Sequence, residues 1–173
     1  MHNAGICATV AITVCNILAT GQNVIREAPT TITFYSGGSL MKTALPETKS
    51  ATFSGCIFDD QKLLGCITFR GFITVSVSPG KHTFSASLSS HHPAKNSQLE
   101  MTMEPGKNYY VRAVEEKYYF RHVLGSAQGR LDVVSCQVAH EETKDSGEMT
   151  ENNEKTWQRK PVPTEVPPCA VAP

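Results

Sequence analysis

The stretch Ile73-Thr74-Val75-Ser76-Val77-Ser78-Pro79-Gly80-Lys81-His82-Thr83-Phe84-Ser85-Ala86 decides the fold of this chain. Apolar and polar residues alternate on both sides of its Pro-Gly pair, and this period of two is typical of strands that bury one face. Proline fixes the φ of the first turn residue, and glycine tolerates a positive φ at the second. We therefore predict that Pro79 and Gly80 form a hairpin turn between two neighbouring strands.

A second copy of the phrase occurs at Pro105-Gly106-Lys107. Alternating runs flank it as well, at residues 99–103 and 108–113. The flanks of the two copies share their alternation but little identity, which favours two turns with the same geometry over an internal duplication. The interpretation is a second hairpin turn, at Pro105 and Gly106, in the same antiparallel sheet structure.

Further runs of β-branched, aromatic or alternating residues lie between turn residues on both sides of these two hairpins. The predicted strands are residues 30–35, 52–58, 62–69, 72–78, 81–88, 97–103, 107–116 and 128–137. About seven or eight short strands separated by turn chemistry are typical of a β-sandwich. We predict one all-β domain, an antiparallel β-sandwich over residues 28–139.

The amino-terminal segment is mostly apolar over residues 4–19, and apart from His2 the first charged side chain is Arg26. It ends in the small-residue exit Ala19-Thr20-Gly21, which is typical of a secretory signal peptide. We predict a signal peptide over residues 1–21 and an exported protein that is periplasmic, envelope-associated or secreted. A buried helix or strand, a lipoprotein signal, and a retained membrane anchor stay open as alternatives.

Four of the six cysteines follow this segment, namely Cys56, Cys66, Cys136 and Cys169. Cys56 and Cys66 lie on either side of a predicted hairpin loop. A three-residue loop that pairs Asp59 with Leu63 would place the two cysteines opposite each other, close enough for a disulfide, whereas a four-residue loop would separate them. A bridge and a pair of buried, reduced thiols therefore both stay open. The chain has no C-x-x-C pattern, and we predict no metal site.

Composition and motifs argue against several classes of function. Sixteen basic and sixteen acidic side chains give a formal net charge of zero, so nucleic acid is not an expected partner. The adjacent histidines His91-His92 lie in a serine-rich loop without other ligands at metal-binding spacing. No G-x-S-x-G elbow or glycine-rich phosphate loop occurs. We predict no catalytic residues and no cofactor.

The densest group of aromatic and guanidinium side chains comprises Tyr109, Tyr110, Arg112, Tyr118, Tyr119, Phe120 and Arg121. Tyrosine and arginine are enriched at the centres of protein interfaces, and aromatic rings also stack on sugars. We predict a binding surface for a protein or glycan at Tyr118, Tyr119 and Arg121. The alternative is that alternation along the strand places at least half of these rings in the core.

The composition changes at His140. Residues 141–148 are charged without an apolar face, and residues 161–168 are rich in proline, which can neither continue a helix nor complete a strand ladder. We predict a disordered polar and proline-rich tail over residues 140–173. Trp157 lies inside it, and a docking anchor for a partner, a side chain packed back onto the sandwich by a short helix, and an exposed ring stay open for it.

Several motifs occur in the same order as in a known bacterial family. They are Phe34-Tyr35, Asp59-Asp60 with Leu63-Leu64-Gly65, Arg70-Gly71-Phe72, Val77-Ser78-Pro79-Gly80-Lys81-His82-Thr83-Phe84, and Glu104-Pro105-Gly106-Lys107-Asn108-Tyr109-Tyr110-Val111-Arg112. On these motifs the segment from Ile32 to Val138 resembles the family known as domain of unknown function 2846, and its Pro-Gly-Lys-His strand pair is similar to PEGA-type surface domains. The resemblance implies an immunoglobulin-like or prealbumin-like sandwich in an exported or envelope-attached protein, and it supplies no catalytic residues.

We therefore expect a non-catalytic, exported or envelope-associated module that binds a protein or a surface glycan. One alternative is a hydrolytic or carbohydrate-active enzyme with an unrecognised site, which would need a concave pocket with convergent titratable groups. Another alternative is a structural spacer tethered by its tail. In that case removal of residues 141–173 would leave the fold intact.

Overall fold

The fold is given by a computed structural model, which describes residues 29–37, 51–89, 91–120, 123–152, 155–162 and 164–169, with side chains for all of these except residues 51–52, 117–120 and 123–127. The strands are β1 (Thr30–Ser36), β2 (Ala51–Thr52), β3 (Gly55–Asp59), β4 (Lys62–Ile67), β5 (Gly71–Val77), β6 (Gly80–Ser87), β7 (Gln98–Met103), β8 (Asn108–Phe120), β9 (Val123–Val134), β10 (Gly147–Glu151) and β11 (Trp157–Arg159). A helix, α1 (Cys136–Glu142), lies between β9 and β10.

The strands form two sheets that share one core, so the predicted all-β sandwich is confirmed. The larger, seven-stranded sheet has the order β11-β10-β5-β1-β8, and β2 and β9 also pair with β8. It is a mixed sheet, because β1 runs parallel to β8 and β10 runs parallel to β5. The smaller sheet is antiparallel, with the order β4-β3-β6-β7. The immunoglobulin-like or prealbumin-like assignment stays a prediction.

Both sheets contribute large apolar side chains to this core. Ile32 and Phe34 of β1 and Val111 of β8 come from the larger sheet, and all three are fully buried. Ile57 and Phe84 come from the smaller sheet and are equally buried. The rings of Phe34 and Phe84 meet edge to face with their centroids 5.2 Å apart. Burial of side chains of this size stabilises a fold by about 1.5–3 kcal/mol each, so this ring pair is a main contact between the sheets.

Both Pro-Gly turns carry the chain from one sheet to the other. Pro79 and Gly80 connect β5 of the larger sheet to β6 of the smaller one, and Pro105 and Gly106 connect β7 of the smaller sheet to β8 of the larger one. Both glycines have the positive φ that the turn chemistry requires, 130° at Gly80 and 69° at Gly106. The prediction of two hairpin turns is therefore wrong. A turn reverses the chain locally, but distant partners decide which sheet the next strand joins.

The residues after β9 form a C-terminal strap, which we define as residues 136–169, from α1 to Cys169. Tyr35, Phe72 and Tyr110 are sequence neighbours of core residues in β1, β5 and β8, so they lie on the opposite face of the larger sheet. They form a second buried cluster with Ala139 and Val166 of the strap. The strap therefore covers the outer face of the larger sheet.

The strap differs from the predicted disordered tail over residues 140–173. Within the described part of that range, β10 pairs with β5 at Gly147 and Glu148, and β11 pairs with β10. Trp157 packs against the main core, where it approaches Gly65 so closely that a methyl group there would lie 3.0 Å from its ring. Polar, proline-rich composition led to the prediction, but the contacts that order the strap come from residues far away in the sequence.

The predicted signal peptide at residues 1–21 lies outside the described residues. Within the described residues, no helix is long and apolar enough to cross a lipid bilayer.

Candidate functional site

The strap begins with α1, whose ends are defined by hydrogen bonds. Ser135 caps the first turn, with its Oγ accepting a hydrogen bond from the Val138 amide at 3.4 Å. Ala139 is fully buried against the larger sheet and sets the orientation of the helix. Residues four apart share one helix face, so Cys136 and His140 lie one above the other.

A network of charged side chains holds the end of α1 to the sheet. Arg112 of β8 donates to Glu142 Oε1 at 2.9 Å and to Asp132 Oδ2 at 3.3 Å. The hydroxyl of Tyr35 donates to the other oxygen of Glu142 at 2.6 Å. Arg130 donates to Asp132 and also to Glu116. Because these groups bond one another, the network links β1, β8, β9 and α1.

Two tyrosines beneath the strap stay protonated. Burial, the hydrogen bond to Glu142 and the charge of that carboxylate raise the pKa of Tyr35 far above its usual value, although the Arg112 guanidinium opposes the shift. Burial also raises the pKa of Tyr110. Both phenols therefore act as hydrogen-bond donors.

The proline-rich end of the strap is held by side-chain donors. Tyr110 Oη donates to the carbonyls of Pro167 at 2.9 Å and Pro168 at 3.2 Å. His140 Nε2 lies 2.8 Å from the Pro167 carbonyl. A disulfide joins Cys136 to Cys169, with their Cα atoms 5.6 Å apart. A segment that cannot form a strand ladder is thus fixed by the disulfide and by hydrogen bonds from Tyr110 and His140.

A polar groove of about 560 Å³ opens between α1 and the end of the strap. Of the described residues that line it, Val166 is apolar and the others are charged or polar. They include His140, Glu141, Lys144 and Glu165. The groove therefore offers donors and acceptors of both charges rather than an apolar pocket.

The same region contains residue types that bind metal ions. Cys136, His140 and Cys169 each offer one ligand atom, and these atoms lie within 4.8 Å of one another. The absence of a C-x-x-C pattern predicts no metal site, and that criterion misses this group. The signal that would have found this group is Cys136-x-x-x-His140, whose spacing places two ligands on one helix face, with Cys169 supplied from further along the chain.

Cys56 and Cys66 are joined by a second disulfide, so of the two alternatives the structure has the bridge. The register differs from the expected three-residue loop. Asp59 pairs with Lys62, and a β-bulge between Ile57 and Phe58 then shifts the register so that Cys56 lies opposite Cys66. The bulge restores the alignment that a shorter loop would otherwise have broken.

The predicted binding surface lies at the far end of β8. The backbone of Tyr118 pairs with Ser126, and that of Tyr119 pairs with Leu124. Their side chains, and Arg121 as a whole, lie outside the described residues. The predicted surface therefore stays a prediction, with only the backbone position of its two tyrosines known.

His82 follows the first Pro-Gly turn and bonds to it. Its Nε2 lies 2.9 Å from the carbonyl of Ser78, and its Nδ1 lies 2.7 Å from Asp59 Oδ2. Burial lowers the pKa of His82, but the hydrogen bonds to Asp59 and to the Ser78 carbonyl outweigh this, and the net pKa is raised. Because both partners are acceptors, the doubly protonated imidazolium satisfies them best.

Comparison with known proteins gives no relative for this arrangement. No protein-family model, no curated protein and no solved structure matches the chain. The resemblance to the domain of unknown function 2846 therefore stays a prediction.

Proposed function

We propose that this protein is a non-catalytic, exported β-sandwich module that binds a protein or a surface glycan through its β8–β9 arm. We define the arm as residues 116–120 of β8 and 123–128 of β9. The observation that carries the proposal is the strand register. Among the described strands, β1 and β2 pair with β8 as far as Glu115, whereas β8 and β9 pair with each other out to Phe120 and Val123.

The arm leaves the sandwich at a close approach between the sheets. A Cβ atom on Gly129 of β9 would lie 2.5 Å from the carbonyl oxygen of Ala86 of β6, so only glycine fits there. Beyond this point the arm is a two-stranded ribbon among the described residues. A ribbon of this kind can reach a partner surface without a change in the core.

The sequence of the arm supplies the residue types that such a surface needs. Tyr118 and Tyr119 offer large rings with a polar hydroxyl, and Arg121 follows them in the sequence. Tyrosine and arginine provide much of the binding energy at protein interfaces, and aromatic faces also stack on sugar rings. This composition supports binding rather than a purely structural role for the arm.

The two disulfides support export. Disulfides form and persist in oxidising compartments and are rare in reducing ones. Cys56–Cys66 and Cys136–Cys169 account for all four cysteines that follow the predicted signal peptide. This pairing is the pattern expected of a mature exported protein.

The experiment measures sedimentation of the labelled protein with the cell-envelope fraction of its source organism. The double substitution Tyr118→Ala and Tyr119→Ala should reduce binding at least about tenfold, the size expected for loss of an interface centre, without a change in melting temperature. The matched control is Phe69→Ala, which removes an exposed aromatic side chain beside an arginine, Arg70, outside the arm.

Two treatments of the envelope separate the classes of partner. Periodate cleaves vicinal diols and should abolish binding to a glycan, whereas protease should abolish binding to a protein. Equal loss in the Phe69→Ala control, or a large fall in melting temperature of the double variant, would contradict the proposal. The second result would assign the tyrosines to the core.

A further inference from the structure

The three ligand-bearing residues of the strap form a compact set. Cys136 and His140 come from one face of α1, and Cys169 comes from the segment that crosses beside the helix. Their ligand atoms lie within 4.8 Å of one another, and all three residues are partly buried. Among the described residues, no other group of three His, Cys, Asp or Glu side chains is arranged in this way. Two sulfurs and an imidazole are the ligands that zinc prefers.

The hydrogen bond between His140 and Pro167 favours ligation. The carbonyl of Pro167 is an acceptor, so the ring nitrogen that lies 2.8 Å from it, Nε2, carries the proton in the neutral ring. The lone pair is then on Nδ1. Metal-bound histidines typically donate their other N–H to a carbonyl or carboxylate, which fixes the ring and its tautomer. Tyr110 donates to the same Pro167 carbonyl and holds it in place.

We propose that, when the Cys136–Cys169 disulfide is reduced, Cys136, His140 and Cys169 bind one zinc ion. Reduction takes two electrons and two protons from a dithiol, which is itself oxidised to a disulfide while the Cys136–Cys169 bond is broken. Zinc then displaces the two thiol protons, because thiolate is the ligand form of cysteine. The metal-bound form and the disulfide exclude each other, since each uses both sulfurs.

The composition of the site suits a divalent cation in a half-buried position. Two thiolates balance the charge of Zn²⁺, and the neutral imidazole adds no charge. Three protein ligands leave the fourth tetrahedral position to water or to an external ligand. His140 also lines the polar groove beside α1, so the site borders that groove.

The chain contains its own control for this proposal. Cys56 and Cys66 are also a disulfide pair, but no third ligand accompanies them among the described residues. If zinc bound simply to any two reduced cysteines, both pairs would bind it. A site that depends on His140 should distinguish them.

The experiment reduces the full chain with a phosphine, removes metal, and titrates Zn²⁺ against a chromophoric chelator, with Co²⁺ as a spectroscopic substitute. We expect one metal ion per chain, and Co²⁺ bands typical of tetrahedral thiolate coordination. Cys136→Ser with Cys169→Ser should weaken binding by at least about a hundredfold, and Tyr110→Phe, which acts only through the Pro167 carbonyl, should weaken it less than His140→Ala. Cys56→Ser with Cys66→Ser should leave it unchanged.

His140→Ala is the decisive variant. It should weaken zinc binding by at least about tenfold and change the Co²⁺ spectrum; an unchanged affinity and spectrum would overturn the three-ligand site. If the reduced protein unfolds, circular dichroism will show whether zinc restores the fold. Refolding by zinc in the wild type, but not in the Cys136→Ser, Cys169→Ser variant, supports the site. Failure of the folded or refolded wild type to bind zinc would overturn it.

Discussion

The two disulfides close loops of different kinds. Cys56–Cys66 spans a separation of 10 residues within a hairpin, the β3–β4 pair, whose backbone register already places the two cysteines opposite each other. Cys136–Cys169 spans 33 residues and joins a helix to a proline-rich segment with which it shares no strand ladder. The first bond adds little to the position of the two cysteines, because strand pairing already holds them opposite each other. The second fixes the end of the strap, where no strand pairing among the described residues does so.

This contrast shows how differently the two regions are stabilised. The hairpin depends on backbone pairing and on core side chains such as Ile57 and Ile67. Among its described residues, the strap has strand pairing only at β10 and β11, and its two ends depend on side-chain donors, chiefly Tyr110, His140 and Arg112, and on the small cluster around Val166. We therefore expect the strap to respond to single side-chain changes that the hairpin would tolerate.

Removal of most of the strap should have the largest effect. Deletion of residues 141–173 exposes Phe72 and Tyr110 and takes Glu142 away from the largely buried Arg112. We expect the free energy of unfolding to fall by at least about 4 kcal/mol, because apolar burial and a buried ion pair are lost together. Urea denaturation would measure it. An unchanged free energy of unfolding would instead support the alternative of a spacer tethered by its tail, because the tail would then contribute nothing to the stability of the fold.

The disulfide variants test the comparison directly. In the chain-entropy description, a loop of 33 residues is worth roughly 3.7 kcal/mol and one of 10 residues roughly 2.7 kcal/mol. Cys136→Ser with Cys169→Ser should therefore destabilise the oxidised protein by about 1 kcal/mol more than Cys56→Ser with Cys66→Ser. Thermal unfolding without reductant, after thiol titration of the denatured variants, gives both values. The reverse order would show that the hairpin needs its bridge more than the strap does.

A single carboxylate should matter more in the strap than its neighbour. Glu142→Ala removes the acceptor of the Tyr35 hydroxyl and one partner of Arg112, which should cost about 2–3 kcal/mol. The exposed Glu141 on the same helix is the matched control, and Glu141→Ala should change stability by no more than about 0.5 kcal/mol. Similar effects of the two substitutions in urea denaturation would contradict the role of the network.

The smallest effect concerns the hairpin side, where His82 bonds Asp59 at the end of β3. Because the pKa of His82 is raised on folding, its contribution to stability is fully present below its unfolded pKa of about 6.5 and is lost as the pH rises through the higher folded value. Between pH 5.5 and 8.5, we expect the free energy of unfolding to fall further in wild type than in His82→Gln. The difference should be small, below about 1 kcal/mol. Parallel pH profiles of the two proteins would contradict this.

The strands were predictable because each alternates locally. The predicted runs at residues 72–78 and 81–88 nearly coincide with β5 and β6. Their assignment to different sheets was not predictable, since β5 pairs with β1 and β6 pairs with β3 and β7, and none of these partners is visible in the turn between them. The same limit applies to the bulge that aligns Cys56 with Cys66.

The candidate site was largely hidden for a related reason. Its parts, a short polar helix and a run of prolines, have no distinctive sequence pattern. Contacts of Cys169, Glu142 and Tyr110, which are far apart along the chain, bring these parts together. A proline-rich segment usually lacks partners for its carbonyls within a domain. Here Tyr110 and His140 are the hydrogen-bond partners of the Pro167 carbonyl. No local sequence pattern predicts these two contacts.

The position of β1 has a consequence for how the chain folds. It pairs with β5 in antiparallel and with β8 in parallel orientation. The pairing of residues 31–36 is therefore complete only after residues 108–113 have joined the sheet. The hairpins β3–β4, β6–β7 and β8–β9 can form from adjacent sequence, whereas insertion of β1 closes a long loop. Such high contact order favours folding in milliseconds to seconds. We expect Ile32→Val, in β1, to accelerate unfolding more than it slows refolding in stopped-flow experiments, as befits a strand placed late.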